Sequence, residues 1–169
     1  MTKELPSYVK DTTDFLQKLR SLPEKLPRYT FLVTMDVRSL YTNIPNEEGI
    51  EVVKLYLRAR AQPGDRKLSQ VIANFLTLIL TLNNFQFNDE NYVQTNGASM
   101  GTKCAPTYVT LFMGKFEETH ILPRIREMIL LYIRFIDDIF FLWKGSERKL
   151  LQFFDEINSV HPTIKFDFT

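Results

Sequence analysis

The sequence holds one cysteine and two histidines, and its charges nearly cancel. Cys104 alone cannot form an internal disulfide, and His120 and His161 lie far apart, so no zinc site is expected. The 21 basic and 20 acidic residues give a formal net charge of +1, which neither indicates nor excludes a local basic groove for nucleic acid. A single cysteine is typical of a protein in a reducing compartment.

Neither a signal peptide nor a membrane-spanning segment is expected from the sequence. The first residues, MTKELPSYVKD, lack the apolar core of a signal peptide. Charged residues interrupt the most apolar stretches, such as Ile129–Trp143, which contains Arg134, Asp137 and Asp138. The sequence therefore predicts an intracellular protein that is not secreted and does not cross a membrane.

What the chain does contain is enough apolar material for one globular domain. It has 169 residues, of which 44% are hydrophobic, with 14 Phe and 7 Tyr. Apolar spacing, caps and breakers predict an α+β domain, in which helices cover one face of an antiparallel sheet. The predicted elements are a helix at Thr12–Leu22, a strand at Tyr29–Met35, a helix at Glu47–Arg60 stopped by Gln62–Asp65, a helix capped by Ser69 and running to Leu82, a hairpin of Phe85–Phe87 and Tyr92–Thr95, a helix from Ala105 to Pro123, strands at Ile129–Phe135 and Ile139–Trp143, a helix capped by Ser146 and running to Asn158, and a strand at Ile164–Phe168.

Three aspartates adjoin strongly apolar strands. Asp137 and Asp138 lie between two of the most apolar runs of the chain, and Asp36 ends another. Burying an unpaired carboxylate costs several kcal/mol, so a partner is expected. Three carboxylates at strand ends would suit two Mg²⁺ ions, with Mn²⁺ as a substitute. The alternative is that Asp137-Asp138 is ordinary turn chemistry, and spacing alone leaves both interpretations open.

Three segments carry a more specific signal. TMDVRSLYTNIP at 34–45, QTNGASMGTKCAPTYVTLFMG at 94–114 and YIRFIDDIFF at 132–141 closely resemble, in order, the palm motifs of reverse transcriptases. They are most similar to those of Penelope-like retroelements. The resemblance implies a polymerase palm with partial fingers and no thumb, so that residues 1–169 would be one reverse transcriptase domain truncated at both ends.

The resemblance also assigns the chemistry by position. It makes Asp36, Asp137 and Asp138 the catalytic carboxylates, with Asp36 and Asp137 bridging two Mg²⁺ ions. The Val37 carbonyl would be a further metal ligand, and Asp138 would lie close to the primer-side metal. The reaction would be nucleotidyl transfer to a primer 3′-hydroxyl, in which two cations stabilise the attacking and leaving oxygens.

Two further elements are implied to bind the nucleotide. Tyr41 occupies the position of the family's steric gate, an aromatic ring that excludes a ribose 2′-hydroxyl, although a core tyrosine would fit the same pattern. The Gly97–Gly101 loop, including Met100 and Gly101, resembles the element that positions the incoming nucleotide and template base. Small residues in this loop would permit close backbone approach, but the composition by itself is unspecific.

Weaker candidates follow from the same resemblance. Phe135 and Ile136 occupy places near the primer end in relatives, and both could equally be core strand residues. Lys165 occupies a position where polymerases often have a lysine that protonates the leaving pyrophosphate, but a strand lysine is usually solvated. Arg38 and Lys103 could contact phosphates, although a solvated role is the simpler interpretation.

The resemblance is incomplete at one motif and leaves two functions open. Val109-Thr110 stands where relatives commonly have Ala-Asn, which puts any contact made by that asparagine in doubt.

The first hypothesis is a nuclear retroelement enzyme that copies an RNA template from a DNA primer with deoxynucleoside triphosphates. The second is a non-catalytic remnant that at most binds nucleic acid, and a nucleotidyl cyclase is disfavoured by Tyr41 and the Gly97–Pro106 segment. Without basic fingers, a thumb or the GIY-YIG endonuclease usual in this family, the 169 residues alone are expected to be inactive.

Overall fold

The computed structural model describes residues 2–62 and 65–169. After a 3₁₀ turn at Thr2–Glu4, the elements are α1 (Thr12–Arg20), β1 (Phe31–Val37), α2 (Leu40–Asn43), α3 (Asn46–Arg60), α4 (Arg66–Thr81), β2 (Asn84–Phe87), β3 (Glu90–Val93), α5 (Ala105–Phe116), a π-helical turn (Glu117–Ile121), α6 (Leu122–Ile125), β4 (Ile129–Phe135), β5 (Asp138–Trp143), α7 (Glu147–Ser159) and β6 (Phe166–Phe168). The helix stop predicted after α3 spans Gln62–Asp65, and two of its residues, Pro63 and Gly64, lie outside the described residues. None of the described helices is both long and apolar enough to span a membrane.

The chain divides into two compact units, one of residues 2–38 and 116–169 and the other of Ser39–Lys115. The first unit contains a four-stranded sheet in the order β4-β5-β1-β6, in which every neighbouring pair is antiparallel. The N-terminal segment extends the β4 edge, because the Val9 N–H donates to the Arg134 carbonyl at 2.9 Å and the Arg134 N–H donates to the Ser7 carbonyl at 2.6 Å. The predicted α+β class with an antiparallel sheet is confirmed.

Alternation along β1 separates the two faces of this sheet. Val33, Met35 and Val37 are buried, whereas the residues between them are exposed. On the buried face α7 supplies the cover, since the ring of Phe153 lies 6.3 Å from that of Phe141 on β5. The core of the first unit therefore lies between α7 and the sheet.

The opposite face of the sheet is partly covered by α1. Asp11 caps this helix by accepting a hydrogen bond from the Asp14 N–H at 2.9 Å. The ring of Phe15 then contacts Phe140 of β5 edge-on, with 5.6 Å between the ring centroids. The helix thus lies beside a face that is otherwise open, the face that carries the aspartates.

The second unit contains α2 to α4, a hairpin and most of α5. Gly49 on α3 lies so close to α5 that an added Cβ would come within 1.9 Å of the Tyr108 hydroxyl oxygen. The β2–β3 hairpin turns at Asn88 and Asp89, which both have positive φ, as a two-residue turn matched to strand twist requires. The predicted hairpin is therefore confirmed, but β2 begins at Asn84, and β3 spans Glu90–Val93 instead of Tyr92–Thr95.

Several predicted bounds differ from the structure. The strand predicted at Tyr29–Met35 begins two residues later, because Tyr29 has a φ of 62°, and it extends through Val37, so that Asp36 lies within β1. Ser69 does not cap α4, which begins at Arg66, since the residues before the serine are good helix formers.

Pro123 does not end the long apolar helix. The α-helical part stops at Phe116, a π-helical turn follows, and Pro123 lies in the first turn of α6. Proline is tolerated there because the first amides of a helix have no partner within it. The predicted cap at Ser146 is confirmed, and its hydroxyl accepts from the Lys149 N–H at 3.4 Å.

Candidate active site

The sheet of the first unit brings two of the three predicted aspartates directly opposite each other. Asp36 on β1 and Asp138 at the start of β5 are partners in the antiparallel register. Asp137 precedes Asp138 in the turn, and its carbonyl accepts a hydrogen bond from the Val37 N–H at 3.3 Å. Opposed residues in an antiparallel pair lie on the same face of a sheet, so Asp36 and Asp138 share the face beside α1.

A two-residue turn connects the strands that carry this pair. Phe135 ends β4 and pairs with Asp138, which leaves Ile136 and Asp137 as the connection. Ile136 has a φ of 56°, a left-handed conformation that β-branched residues rarely adopt. The turn therefore holds a strained backbone immediately before the aspartate pair.

None of the three aspartates is buried, although burial was the reason for expecting each carboxylate to have a partner. Asp36 and Asp138 are exposed and Asp137 is half-buried. The pKa of Asp36 is nevertheless raised, first by partial desolvation and then by the negative charges of Asp137, Asp138 and Asp167. Partial desolvation and mutual repulsion thus both disfavour the ionised form of Asp36, and a divalent cation would offset both by stabilising that form.

A fourth carboxylate was not anticipated from the sequence. Asp167 on β6 is the partner of Asp36 on the side away from Asp138. Its oxygens accept from the Arg38 guanidinium, with 2.8 Å from Nε to Oδ2 and a second bond from Nη2 to Oδ1, and this arginine lowers the pKa of Asp167. The alternation Phe166-Asp167-Phe168 was the available signal, but the pattern does not reveal which strand lies alongside.

A cleft of about 650 Å³ opens on the same face, between α1 and the sheet. Aromatic rings form one part of its wall, from Phe15, Phe135 and Phe140, while Asp36 and Asp138 contribute carboxylates. Apolar walls with a few convergent polar groups are typical of ligand sites.

Comparison with known proteins identifies the family of this chain. The family model for reverse transcriptase (RNA-dependent DNA polymerase) matches residues 2–165, nearly the whole chain. The chain belongs to the reverse transcriptase family. No curated protein matches the sequence.

Solved telomerase structures share the fold of this reverse transcriptase domain. Apo telomerase from Candida tropicalis, truncated from its C-terminal domain, has a TM-score of 0.68 at 13% identity, and the match covers 96% of this chain and 36% of that one. Candida tropicalis telomerase with a TWJ fragment of telomeric RNA gives 0.69 at 12% identity, over 96% of this chain and 30% of that one. Candida albicans telomerase with such a fragment gives 0.67 at 10%, over 89% and 29%. The chain thus spans about a third of these proteins.

The donor set of the reverse transcriptase site suits a hard cation. Proteins of this family use divalent metal ions. In residues 2–62 and 65–169, no three His, Cys, Asp or Glu side chains are grouped closely enough to hold an ion. Mg²⁺ binding does not need such a cage, because this ion keeps several waters and is usually held by one or two carboxylates together with substrate phosphates. The opposed Asp36 and Asp138, with Asp137 beside them, meet that smaller requirement.

The predicted nucleotide-binding residues lie in the second unit. Tyr41 is half-buried in α2, and its carbonyl accepts from the Ala98 N–H at 2.7 Å. Gly97 has a φ of 72°, and an added Cβ would lie 2.2 Å from the Tyr41 carbonyl oxygen. Close backbone approach therefore explains the glycine at 97. Met100 and Gly101 are exposed, and a Cβ at 101 would meet nothing within 4 Å.

The weaker candidates have varied surroundings. Lys165 donates from Nζ to the carbonyls of Asn158 at 2.5 Å and His161 at 2.7 Å, an arrangement that stabilises the end of α7. Phe135 is 47% exposed beside the cleft, and Lys103 is exposed.

The residues that depart from the family pattern are internal. Val109 and Thr110 are both buried in α5. Threonine has a hydroxyl but no side-chain amide, so it cannot reproduce a contact that an asparagine would make through its amide group at this position.

The raised pKa of Asp36 predicts a pH-dependent effect of Asp36→Asn. Because the pKa of Asp36 in the folded state lies above its ordinary value of 3.8, ionisation of this carboxyl costs more in the folded than in the unfolded protein. The free energy of unfolding therefore falls as the pH rises from 3.8 through the folded-state pKa. In metal-depleted buffer at pH 7, Asp36→Asn should therefore raise the melting temperature, by about 1–2 °C for an exposed, screened charge. The gain should vanish well below pH 3.8, where both states are protonated. Asp155→Asn on the exposed side of α7 is the control, and a gain that persists in acid would contradict the explanation.

Proposed function

We propose that this chain supplies the metal-binding palm of an RNA-directed DNA polymerase. The observation that carries the proposal is the register of β1 and β5, which opposes Asp36 and Asp138 beside the Asp137 turn in a member of the reverse transcriptase family. Its substrates would be an RNA template, a DNA primer and deoxynucleoside triphosphates. The sequences of the three motifs resemble those of Penelope-like retroelements, and an enzyme of such an element would act in the nucleus.

The proposed chemistry is nucleotidyl transfer with two divalent cations, Mg²⁺ or Mn²⁺. When bound, the cations would lower the pKa of the primer 3′-hydroxyl and stabilise the attacking and leaving oxygens. Asp36 and Asp137 would each ligate both ions, the Val37 carbonyl would complete one site, and Asp138 would lie nearer the primer-side ion. No protein nucleophile takes part, so the contribution of the chain is positioning and charge.

Other residues would orient the substrates. Tyr41 would pack under the sugar of the incoming nucleotide, and Met100 and Gly101 would border the nucleotide and template base. Phe135 and the Ile136 turn would lie near the primer end, which the exposure of Phe135 permits.

Two of the three basic candidates, Arg38 and Lys165, are proposed to act only if they exchange their present partners. Arg38 would have to release Asp167 to bind phosphate, and Lys165 would have to release two carbonyls to protonate pyrophosphate. A phosphate oxygen is a stronger acceptor than a neutral carbonyl, so the exchange is more favourable for Lys165 than for Arg38, whose present partner is already a carboxylate.

Tyr41→Ala tests the proposed sugar selection. In a chain that polymerises, removal of the ring should raise ribonucleotide incorporation relative to deoxyribonucleotide incorporation, because the space required by a 2′-hydroxyl becomes available. The expected change is at least about tenfold, equivalent to about 1.4 kcal/mol of discrimination. Tyr41→Phe, which keeps the ring, should remain selective. Equal ratios in wild type and Tyr41→Ala would make Tyr41 a packing residue.

The rival function is a non-catalytic palm remnant that binds nucleic acid. The observation in its favour is that Val109 and Thr110, both buried in α5, stand where relatives commonly have Ala-Asn. Primer extension on an RNA template with Mg²⁺ or Mn²⁺ distinguishes the two proposals. The 169-residue chain alone is expected to extend poorly, since finger and thumb groups supply much of the orientation that lowers the barrier. A longer chain containing it should extend, and failure there would favour the remnant.

A further inference from the structure

The strained turn before the aspartate pair is held from inside the first unit by a buried arginine. Nη1 of Arg134 donates to the Ile136 carbonyl at 2.8 Å, although only one residue separates them. The next carbonyl, that of Asp137, accepts from the Val37 N–H. Unfavourable backbone angles persist only where the surroundings enforce them, and these two hydrogen bonds restrain successive peptides of the turn.

Arg134 is itself fixed by Glu117 of the π-helical turn. The guanidinium Nε donates to Glu117 Oε1 at 2.6 Å and Nη2 donates to Oε2 at 3.4 Å, and the two side chains are 1% and 2% exposed. Ser7 donates to Oε2 at 2.5 Å, and the Tyr132 hydroxyl donates to Oε1 at 3.1 Å. Both carboxylate oxygens are therefore satisfied, as a buried ion requires.

Hydrogen bonds on both sides of β4 also restrain the backbone of Arg134. It pairs with β5 on one side and with the N-terminal segment at Ser7 and Val9 on the other. A planar guanidinium held by two carboxylate contacts can direct a third N–H at one carbonyl, a geometry that a lysine ammonium cannot reproduce. The network thus joins the π-helical turn, the N-terminal segment and the aspartate turn.

We propose that Glu117 and Arg134 are positioning residues for polymerisation, which fix the Ile136 carbonyl and thereby direct Asp137 and Asp138 toward the cations. The inference rests on the proposed function. It goes beyond stability, because a buried ion pair can often be replaced by apolar side chains without loss of stability, whereas apolar side chains cannot hold a carbonyl.

The test compares Arg134→Lys with Leu150→Ala, a cavity-forming control on α7 that lies outside the network. All measurements are made on the 169-residue chain well below the melting temperature of each variant. Amide hydrogen exchange at Val37 reports the bond to Asp137, and the Lys144 amide, which donates to Met128 at 2.8 Å, reports the far end of the β4–β5 hairpin. Titration with Mn²⁺ alone, followed by electron paramagnetic resonance, reports the carboxylate site.

Arg134→Lys should accelerate Val37 exchange at least about tenfold relative to Lys144 and weaken Mn²⁺ binding about tenfold, as changes to residues that orient metal ligands commonly do. Leu150→Ala should leave the Val37 to Lys144 ratio and the Mn²⁺ affinity as in wild type. Wild-type values in Arg134→Lys, or equal changes in Leu150→Ala, would overturn the inference. Asp137→Asn separates the two proposals: if it leaves Mn²⁺ binding unchanged, the proposed metal site fails, and the Val37 exchange ratio alone then decides whether Arg134 holds the turn.

Discussion

Glu117→Ala is expected to lower the free energy of unfolding by about 3–5 kcal/mol, because it removes the carboxylate partner of a buried guanidinium. The Ser7 and Tyr132 hydroxyls would also lose the oxygens to which they donate. For a chain of this length the melting temperature should fall by about 6–20 °C. Chemical denaturation followed by circular dichroism measures the change.

Two comparisons identify the cause of that loss. Glu118→Ala, an exposed neighbour in the same π-helical turn, should change stability by no more than about 0.5 kcal/mol. Glu117→Leu combined with Arg134→Met should be more stable than Glu117→Ala alone, because no unpaired charge remains in the core. If the double variant is as unstable as the single one, packing around residue 117 and not the lost charge pair would explain the effect.

The parts of the fold that were predictable from sequence are those set by local patterns. The strand at Ile129–Phe135 has the predicted bounds because its aromatic and β-branched residues favour a strand, whereas the Asp137-Asp138 pair that follows favours a turn. Ser146 caps α7 as predicted because a serine hydroxyl can accept from an amide of the first helical turn. Local rules failed where they competed, as at Ser69, where helix propensity before the serine extended α4 by a further turn.

The site was only partly predictable, for a different reason. The motifs single out Asp36, Asp137 and Asp138, and the register places Asp36 opposite Asp138. Asp167 and the Glu117–Arg134 pair were missed because each depends on contacts between residues far apart in the chain. Arg134 was considered only as an interruption of an apolar run, whereas its charge is neutralised within the core.

Placement in an apolar run also proved a poor guide to burial. The aspartates were expected to need a partner because they would be buried, but Asp36 and Asp138 are exposed and Asp137 is half-buried. The pKa of Asp36 is raised first by partial desolvation and then by the charges of Asp137, Asp138 and Asp167, and a cation would favour the ionised carboxylate against both effects. The expectation of a metal site therefore does not depend on full burial of the aspartates.

Primer extension by an Asp137→Ala/Asp138→Ala variant tests the central proposal most directly. A longer chain containing these 169 residues would be assayed on an RNA template with a DNA primer and Mg²⁺. Loss of both carboxylates should remove several kcal/mol of transition-state stabilisation, so extension should fall at least about a thousandfold. Asp155→Ala on α7, also an exposed carboxylate, is the matched control and should extend at the wild-type rate. Extension by the double variant within about tenfold of wild type would contradict the assignment of catalysis to these aspartates.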